Sequence, residues 1–124
     1  MRRTAPGVQW RPVIAGGALA ALVTIAGVVA STAAGIGPLG AVSVPAGIAA
    51  GGFLAGRLAR SAGLLQGGMV AVLWIAAEAL GDIASPPAVA DPVADLALVV
   101  LSDIFRISLG AAFGWLGQGR VLRG

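Results

Sequence analysis

The sequence predicts an all-α integral membrane protein, a four-helix bundle in a single transmembrane domain. Three observations lead to this prediction. Of the 124 residues, 58% are hydrophobic and 10% are charged, which lies outside the range of soluble globular domains. The charged residues are clustered and leave four apolar stretches between them. Each stretch has about the 20 residues that a helix needs to cross the hydrocarbon of a bilayer.

The four spans are expected to be helices because backbone polar groups in lipid must be bonded within their own segment. Trp10 and Arg11 precede the first span, Pro38 opens the second, and Pro45 lies inside it. The first apolar run is longer than the roughly 7–15 residues of a signal-peptide core, so we expect a span rather than a cleaved signal. The predicted spans cover approximately residues 12–34, 39–58, 64–84 and 94–116.

The arginines predict how the spans are oriented. All eight basic residues are Arg, and seven of them flank the spans on what would be one side of the membrane. Because basic residues are retained in the cytoplasm, we expect both termini to be cytoplasmic. Lys, Asn and Tyr are absent while Ala and Gly abound, which favours a GC-rich prokaryote and its inner membrane. The topology-determining residues are Arg2, Arg3, Arg11, Arg57, Arg60, Arg120 and Arg123.

A weak internal similarity relates the two halves of the chain. Residues 14–17 and 65–68 open spans one and three with similar glycine-containing tetrapeptides, and residues 56–60 and 119–123 close spans two and four with Gly-Arg-x-x-Arg. Such a pattern is typical of a duplicated helical hairpin. Ala- and Gly-rich segments also match by chance, so both explanations stay open.

Small residues predict where the helices pack. Lipid tails are as apolar as Leu, so spans associate through close van der Waals contact, which glycine permits. Span two has two glycine pairs at a spacing of four residues, and we expect its small face to be the central contact of the bundle. A pore lining or a moving helix is the alternative interpretation. The packing residues are Gly47, Gly51, Gly52 and Gly56.

Three ionisable residues lie within the predicted spans: Glu78, Asp103 and Arg106. A charge within a span costs several kcal/mol unless it is paired or hydrated. Asp103 and Arg106 are three apart and share a helix face, and Glu78 and Asp103 lie at a similar depth of roughly 20 Å from the arginine-bearing side. One interpretation is a polar clasp between spans three and four. The other is a proton or cation site, because two carboxylates face one Arg.

Composition excludes most catalytic chemistry. The chain has no Cys and no His, so thiolate nucleophiles, disulfides and the commonest metal ligand are missing. We find no enzymatic motif, and we expect no enzyme activity, no cofactor and no metal. The arginines flank apolar segments rather than forming a basic face on a solvated fold, so we expect no nucleic-acid partner. The expected partners are the lipid bilayer and either further copies of the chain or a larger membrane protein.

Residues 47–77 contain a glycine-rich end of span two, Gly-Gly-Phe-Leu-Ala-Gly-Arg at 51–57, followed by Gly-Leu-Leu-Gln-Gly-Gly at 63–68. This stretch resembles the small four-span membrane proteins of unknown function found in bacteria and haloarchaea, including the YrzE-like group. The resemblance implies a four-helix membrane fold and no particular activity. Fluoride channels and small multidrug exporters are similar in length and number of spans, but their signature residues have no counterpart in this chain.

Together these features predict a small polytopic membrane protein that acts as a structural or interaction component of the cytoplasmic membrane. The alternative is a small proton- or cation-coupled transporter or channel that uses the Glu78, Asp103 and Arg106 cluster.

Overall fold

The structure, a computed structural model, describes residues 7–84 and 92–123, with side chains in the last helix described for residues 96–119. This part of the chain forms four helices and no strand, which confirms the predicted all-α four-helix bundle. The helices are α1 (Trp10–Ala34), α2 (Gly37–Leu58), α3 (Gly63–Ala84) and α4 (Pro92–Arg123). All four are long and apolar enough to cross a membrane.

The helix ends follow from local sequence. Gly35 adopts a left-handed conformation with φ of 69° after α1, and the N–H of Ile36 donates to the carbonyl of Ser31, a glycine-terminated C-cap. Pro38 lies in the first turn of α2, where its missing N–H costs no helical hydrogen bond. α4 extends at both ends beyond the predicted span because hydropathy marks the hydrocarbon boundary, whereas a helix can continue into the interface.

The helices pair as two antiparallel hairpins, α1 with α2 and α3 with α4. α2 also packs on α4, α1 packs on α3, and α2 reaches α3 across the bundle. Within the described residues α1 and α4 do not contact each other. A duplicated hairpin with exact two-fold symmetry would make the α1–α4 and α2–α3 relations equivalent, so the observed packing departs from that symmetry.

Side chains are distributed in the way expected of a protein that faces lipid. The core consists mainly of glycines and of small or medium apolar residues, with Ile48, Gln66, Val13 and Val70 as the largest fully buried side chains. Large apolar residues such as Leu22, Leu80 and Leu98 are more than half exposed. In water such a surface would cause aggregation, but in a bilayer it faces hydrocarbon while small residues bring the helices together.

The bundle has two unlike halves, which we name by their charges. The basic half contains the start of α1, the end of α2, the start of α3 and the end of α4, and its described charges are Arg11, Arg57 and Arg60. The acidic half contains the opposite helix ends. The described acidic side chains, Glu78, Asp82 and Asp103, all lie in the acidic half, and the other two Asp residues of the chain fall between them in sequence.

Candidate functional site

The three ionisable residues singled out in the spans lie together in the acidic half, between α3 and α4. Arg106 Nη1 donates to Glu78 Oε2 and so joins α4 to α3. The same Nη1 lies 3.9 Å from Asp103 Oδ1, one turn away on α4. The spacing of three residues places Asp103 and Arg106 on one face, and only the folded bundle brings Glu78 opposite them.

Trp74 is a fourth member that sequence reasoning did not assign to the cluster. Its indole Nε1 donates to Glu78 Oε1 over 3.0 Å, while its ring packs against the apolar core. Both carboxylate oxygens of Glu78 are therefore hydrogen-bonded, one to Trp74 and one to Arg106. The spacing of four residues between Trp74 and Glu78 on a helix was the available signal, because residues at that spacing lie on the same face.

The cluster lines an open recess of about 300 Å³ between α3 and α4. The side chains of Arg106, Asp103 and Glu78 are 20%, 28% and 40% exposed, so the cluster is paired but not covered. Asp82 and Ser102 line the same recess. Three carboxyl groups face one guanidinium, so the recess has an excess of acidic over basic side chains. Its remaining walls are apolar: Ile75, Ala79, Leu98 and Val99.

This arrangement can bind a positively charged or hydrogen-bond-donating group, since the excess charge lies on carboxylate oxygens. No group of three potential metal-ligating side chains occurs within residues 7–84 and 96–119.

The basic half is closed by backbone-to-backbone contact at glycines. A methyl group added at Gly51 would overlap the carbonyl of Gly16 on α1, and one added at Gly47 would overlap the backbone of Ala20. On the other side of α2, a methyl group at Gly52 or Gly56 would overlap α4. α2 is therefore the central helix, with two of its singled-out glycines against α1 and two against α4.

The glycines of α3 and α4 make equally close contacts that the sequence analysis missed. Gly63 and Gly67 on α3 face Gly114 and Gly110 on α4, and each would overlap the opposite backbone if it carried a methyl group. Both pairs have the spacing of four residues already noted in span two. That spacing was the available signal, and it occurs in three of the four helices.

Three glutamines connect the helix ends of the basic half. Gln66 is fully buried; its Oε1 accepts from the Gln9 N–H over 2.8 Å, and its Nε2 donates to the Gly7 carbonyl over 3.0 Å. Gln118 Oε1 accepts from the Gly63 N–H over 2.8 Å and so satisfies a free donor at the start of α3. These side chains hold the segment before α1 and the end of α4 against the α2–α3 connection.

The described topology residues Arg11, Arg57 and Arg60 are exposed at the basic end of the bundle. Arg120 and Arg123 belong to the last turn of α4, with side chains outside the described set, and Arg2 and Arg3 lie outside the described residues altogether.

Comparison with known proteins supplies no relative from which a role could be transferred. No protein-family model matches the chain, and neither does any curated protein or any solved structure. The four helices, each able to span a membrane, and the charged recess between α3 and α4 are accordingly the observations on which a function must rest.

Proposed function

We propose that this protein is a non-enzymatic interaction component of the cytoplasmic membrane of a prokaryote, and that it binds another membrane helix at the recess between α3 and α4. The observation that carries the proposal is the Glu78–Arg106–Asp103 cluster, which is internally paired yet 20–40% exposed at a depth within the spans. The partner would be a further copy of the chain or a larger membrane protein.

The energetic argument concerns the exposure of these charges. An ionisable side chain at the centre of a span costs roughly 3 kcal/mol in insertion experiments. Pairing between Glu78 and Arg106 lowers that cost but leaves the excess carboxylate charge uncovered. A neighbouring helix with a donor or a basic side chain at this depth would cover the recess and complete its hydrogen bonds. The apolar walls offer such a helix van der Waals contact.

The packing of α4 supports the same conclusion. Within an apolar stretch of 18 residues in each helix, 39% of the residues of α2 are buried but only 6% of those of α4. α4 therefore contributes a long uncovered surface to the acidic half, next to the recess. The closed basic half argues against a conducting pathway, because backbones touch at Gly56–Gly114 and Gly67–Gly110.

Site-directed cross-linking tests the proposed contact. The chain has no Cys, so a single Cys carrying a photoreactive group can be introduced in the recess as Ser102→Cys. A matched variant is Val29→Cys, at an exposed α1 residue in the same half. We expect a discrete cross-linked product in native membranes from Ser102→Cys and none from Val29→Cys. Equal or absent products from both would contradict the proposal.

The proposed orientation has an independent test. Gly7 and Gly37 lie at opposite ends of the bundle, and nothing lies within 4 Å of a Cβ added at either. Gly7→Cys and Gly37→Cys should therefore fold normally. With both termini cytoplasmic, a membrane-impermeant maleimide added to intact spheroplasts should label Gly37→Cys only, and both variants after lysis. Labelling of Gly7→Cys in intact spheroplasts would reverse the orientation.

A second candidate, a small proton- or cation-coupled transporter, is favoured by one observation: the excess negative charge of the recess. Liposomes containing the protein and a pH-sensitive dye distinguish the two functions. The interaction function predicts the proton leak of protein-free liposomes for both the native protein and Asp103→Asn. A flux in the native protein that is lost in Asp103→Asn would favour the transporter.

A further inference from the structure

The basic half has a groove that the acidic recess does not involve, at the place where α1 begins and α2 ends. It has a volume of about 620 Å³ and opens to the surface. Trp10, Arg11, Pro12 and Ala15 form the α1 wall, Leu58 and Arg60 form the α2 wall, and Gln9 closes the end.

The chemistry of the groove changes along the helix axis. Arg11 and Arg60 lie at its outer rim. Arg11 is in the first turn of α1, and Arg60 follows the end of α2. Ala15, four residues further into α1, lies about 6 Å deeper, and Pro12 and Leu58 add apolar wall between the two levels. Trp10 is 56% exposed at the rim, the position at which tryptophan side chains meet lipid headgroups. The groove therefore offers cationic groups to a headgroup and an apolar surface to an acyl chain.

The two guanidinium groups of the rim have no counter-charge among the described side chains. Neither Arg11 nor Arg60 forms an ion pair with any of them. The sequence strengthens this point, because no Asp or Glu occurs before Glu78 or after Asp103. The described side chains thus offer these two guanidinium groups no carboxylate, and an anionic lipid headgroup is the anion that a membrane supplies there.

The rim of the groove is held in place by hydrogen bonds. Gln9 Oε1 accepts from the Arg60 N–H over 2.9 Å, and Gln9 Nε2 donates to Ser61 Oγ over 3.1 Å. The Gln9 N–H is itself bonded to the buried Gln66. These bonds connect the chain before α1 to the α2–α3 connection, so Arg11 and Arg60 belong to two walls whose backbones are already tied together. Less conformational entropy of the groove is then lost when a ligand binds.

We propose that this groove binds one anionic phospholipid, with its phosphate between Arg11 and Arg60 and an acyl chain along Pro12, Ala15 and Leu58. Arginine suits the role because its planar guanidinium donates to phosphate oxygens in a bidentate manner. The proposal goes beyond the partner helix at the acidic recess and does not depend on it.

Native mass spectrometry of the detergent-solubilised protein tests the proposal, with phosphatidylglycerol and phosphatidylcholine of identical acyl chains as probes. We expect one tightly retained phosphatidylglycerol and about a thirtyfold preference over phosphatidylcholine, the ratio expected from two guanidinium contacts. Arg11→Gln with Arg60→Gln should remove the preference. The matched control is Arg57→Gln, an exposed arginine at the same end that lines a different groove with Phe53 and Phe113, and it should retain the preference.

Two further measurements locate the lipid and define its source. In vesicles, brominated phosphatidylglycerol should quench Trp10 more strongly than brominated phosphatidylcholine in a protein whose Trp74 and Trp115 are replaced by Phe, and the double variant should lose the difference. Glycerol phosphate should not displace the bound lipid beyond the effect of sodium chloride at equal ionic strength. Equal retention of the two lipids by the native protein, equal loss in Arg57→Gln and the double variant, or displacement by glycerol phosphate would each overturn the proposal.

Discussion

The basic and acidic halves of the bundle belong to the same four helices but are held together by different interactions. In the basic half, glycines bring backbones into contact, and part-buried hydrogen bonds of Gln66 and Gln118 join the helix ends. In the acidic half, α1 and α2 still pack closely at Gly27 and Ser43, so the difference lies in α3 and α4. There, no described residue from Val72 to Ala84 or from Leu96 to Leu109 is buried, and the principal polar link is Arg106 to Glu78.

This difference separates stability from recognition. Contacts between backbones depend on shape and have little tolerance for added atoms. Exposed charges depend on their surroundings and can exchange partners. We therefore expect the basic half to determine whether the bundle folds, and the acidic half to determine what it binds. Substitutions of the same kind in the two halves test this division.

The largest effect is expected from adding one methyl group at the glycine contact. In Gly114→Ala the new methyl would overlap the backbone of Gly63 and Gly67, so α3 and α4 must separate, at a cost of about 3 kcal/mol. The matched control is Gly81→Ala in the acidic half, where nothing lies within 4 Å of the added Cβ. Unfolding in SDS should show a large loss for Gly114→Ala and none for Gly81→Ala. Similar losses in both variants would show that the two halves do not differ in their tolerance of an added methyl group.

Removing the buried glutamine should have the next largest effect. Gln66→Leu leaves the part-buried Gln9 N–H and the Gly7 carbonyl without their partner. A buried unsatisfied group costs about 1–3 kcal/mol, and we expect the lower end of that range because Gly7 is exposed. Gln118→Leu removes one hydrogen bond at the end of the bundle and should cost less. The same SDS unfolding experiment ranks the two variants, and the reverse order would show that Gln66 is not a central link.

Neutralising the link in the acidic half should change stability only slightly. Glu78→Gln retains a side-chain oxygen that can accept from Arg106 but removes the charge, and polar links between membrane helices are worth about 0.6 kcal/mol on average. The partial exposure of Glu78 reduces the effect further. The cross-linked product obtained with Ser102→Cys should nevertheless decrease, because Glu78→Gln removes one of the carboxylates that would bind the partner helix. A stability loss as large as that of Gly114→Ala would assign the cluster a structural role instead.

The smallest effect is expected at the α2–α3 connection, and it should be a gain. Ala62 has a φ of 53°, a left-handed conformation that glycine adopts without strain. Ala62→Gly should stabilise the basic half by about 0.5–1 kcal/mol after the greater freedom of glycine in the unfolded chain is subtracted. A small rise in the SDS midpoint checks this expectation, and a fall would indicate that the Ala62 side chain contributes contacts that outweigh its strain.

Much of the fold could be predicted from local sequence because a bilayer constrains it strongly. Four apolar stretches of sufficient length predict four helices, and Gly35 and Pro38 mark where one ends and the next begins. The approximate depth of Glu78 and Asp103 could also be predicted, since helical rise is constant. Trp74 was missed because its ring is apolar. The hydrogen-bond partner of its indole N–H can be identified only once the side-chain rotamer is known.

Local sequence was enough to predict that four helices form, that seven of the eight arginines flank the spans at one end, and that Asp103 and Arg106 share a face. These properties depend on hydropathy and helical periodicity, which act over a few turns of chain. Only the folded bundle shows that α2 lies between α1 and α4, that Glu78 pairs with Arg106 between α3 and α4, and that Gln66 hydrogen-bonds the segment before α1. Those pairings join residues distant in sequence, and their choice depends on how glycine faces fit one another in space.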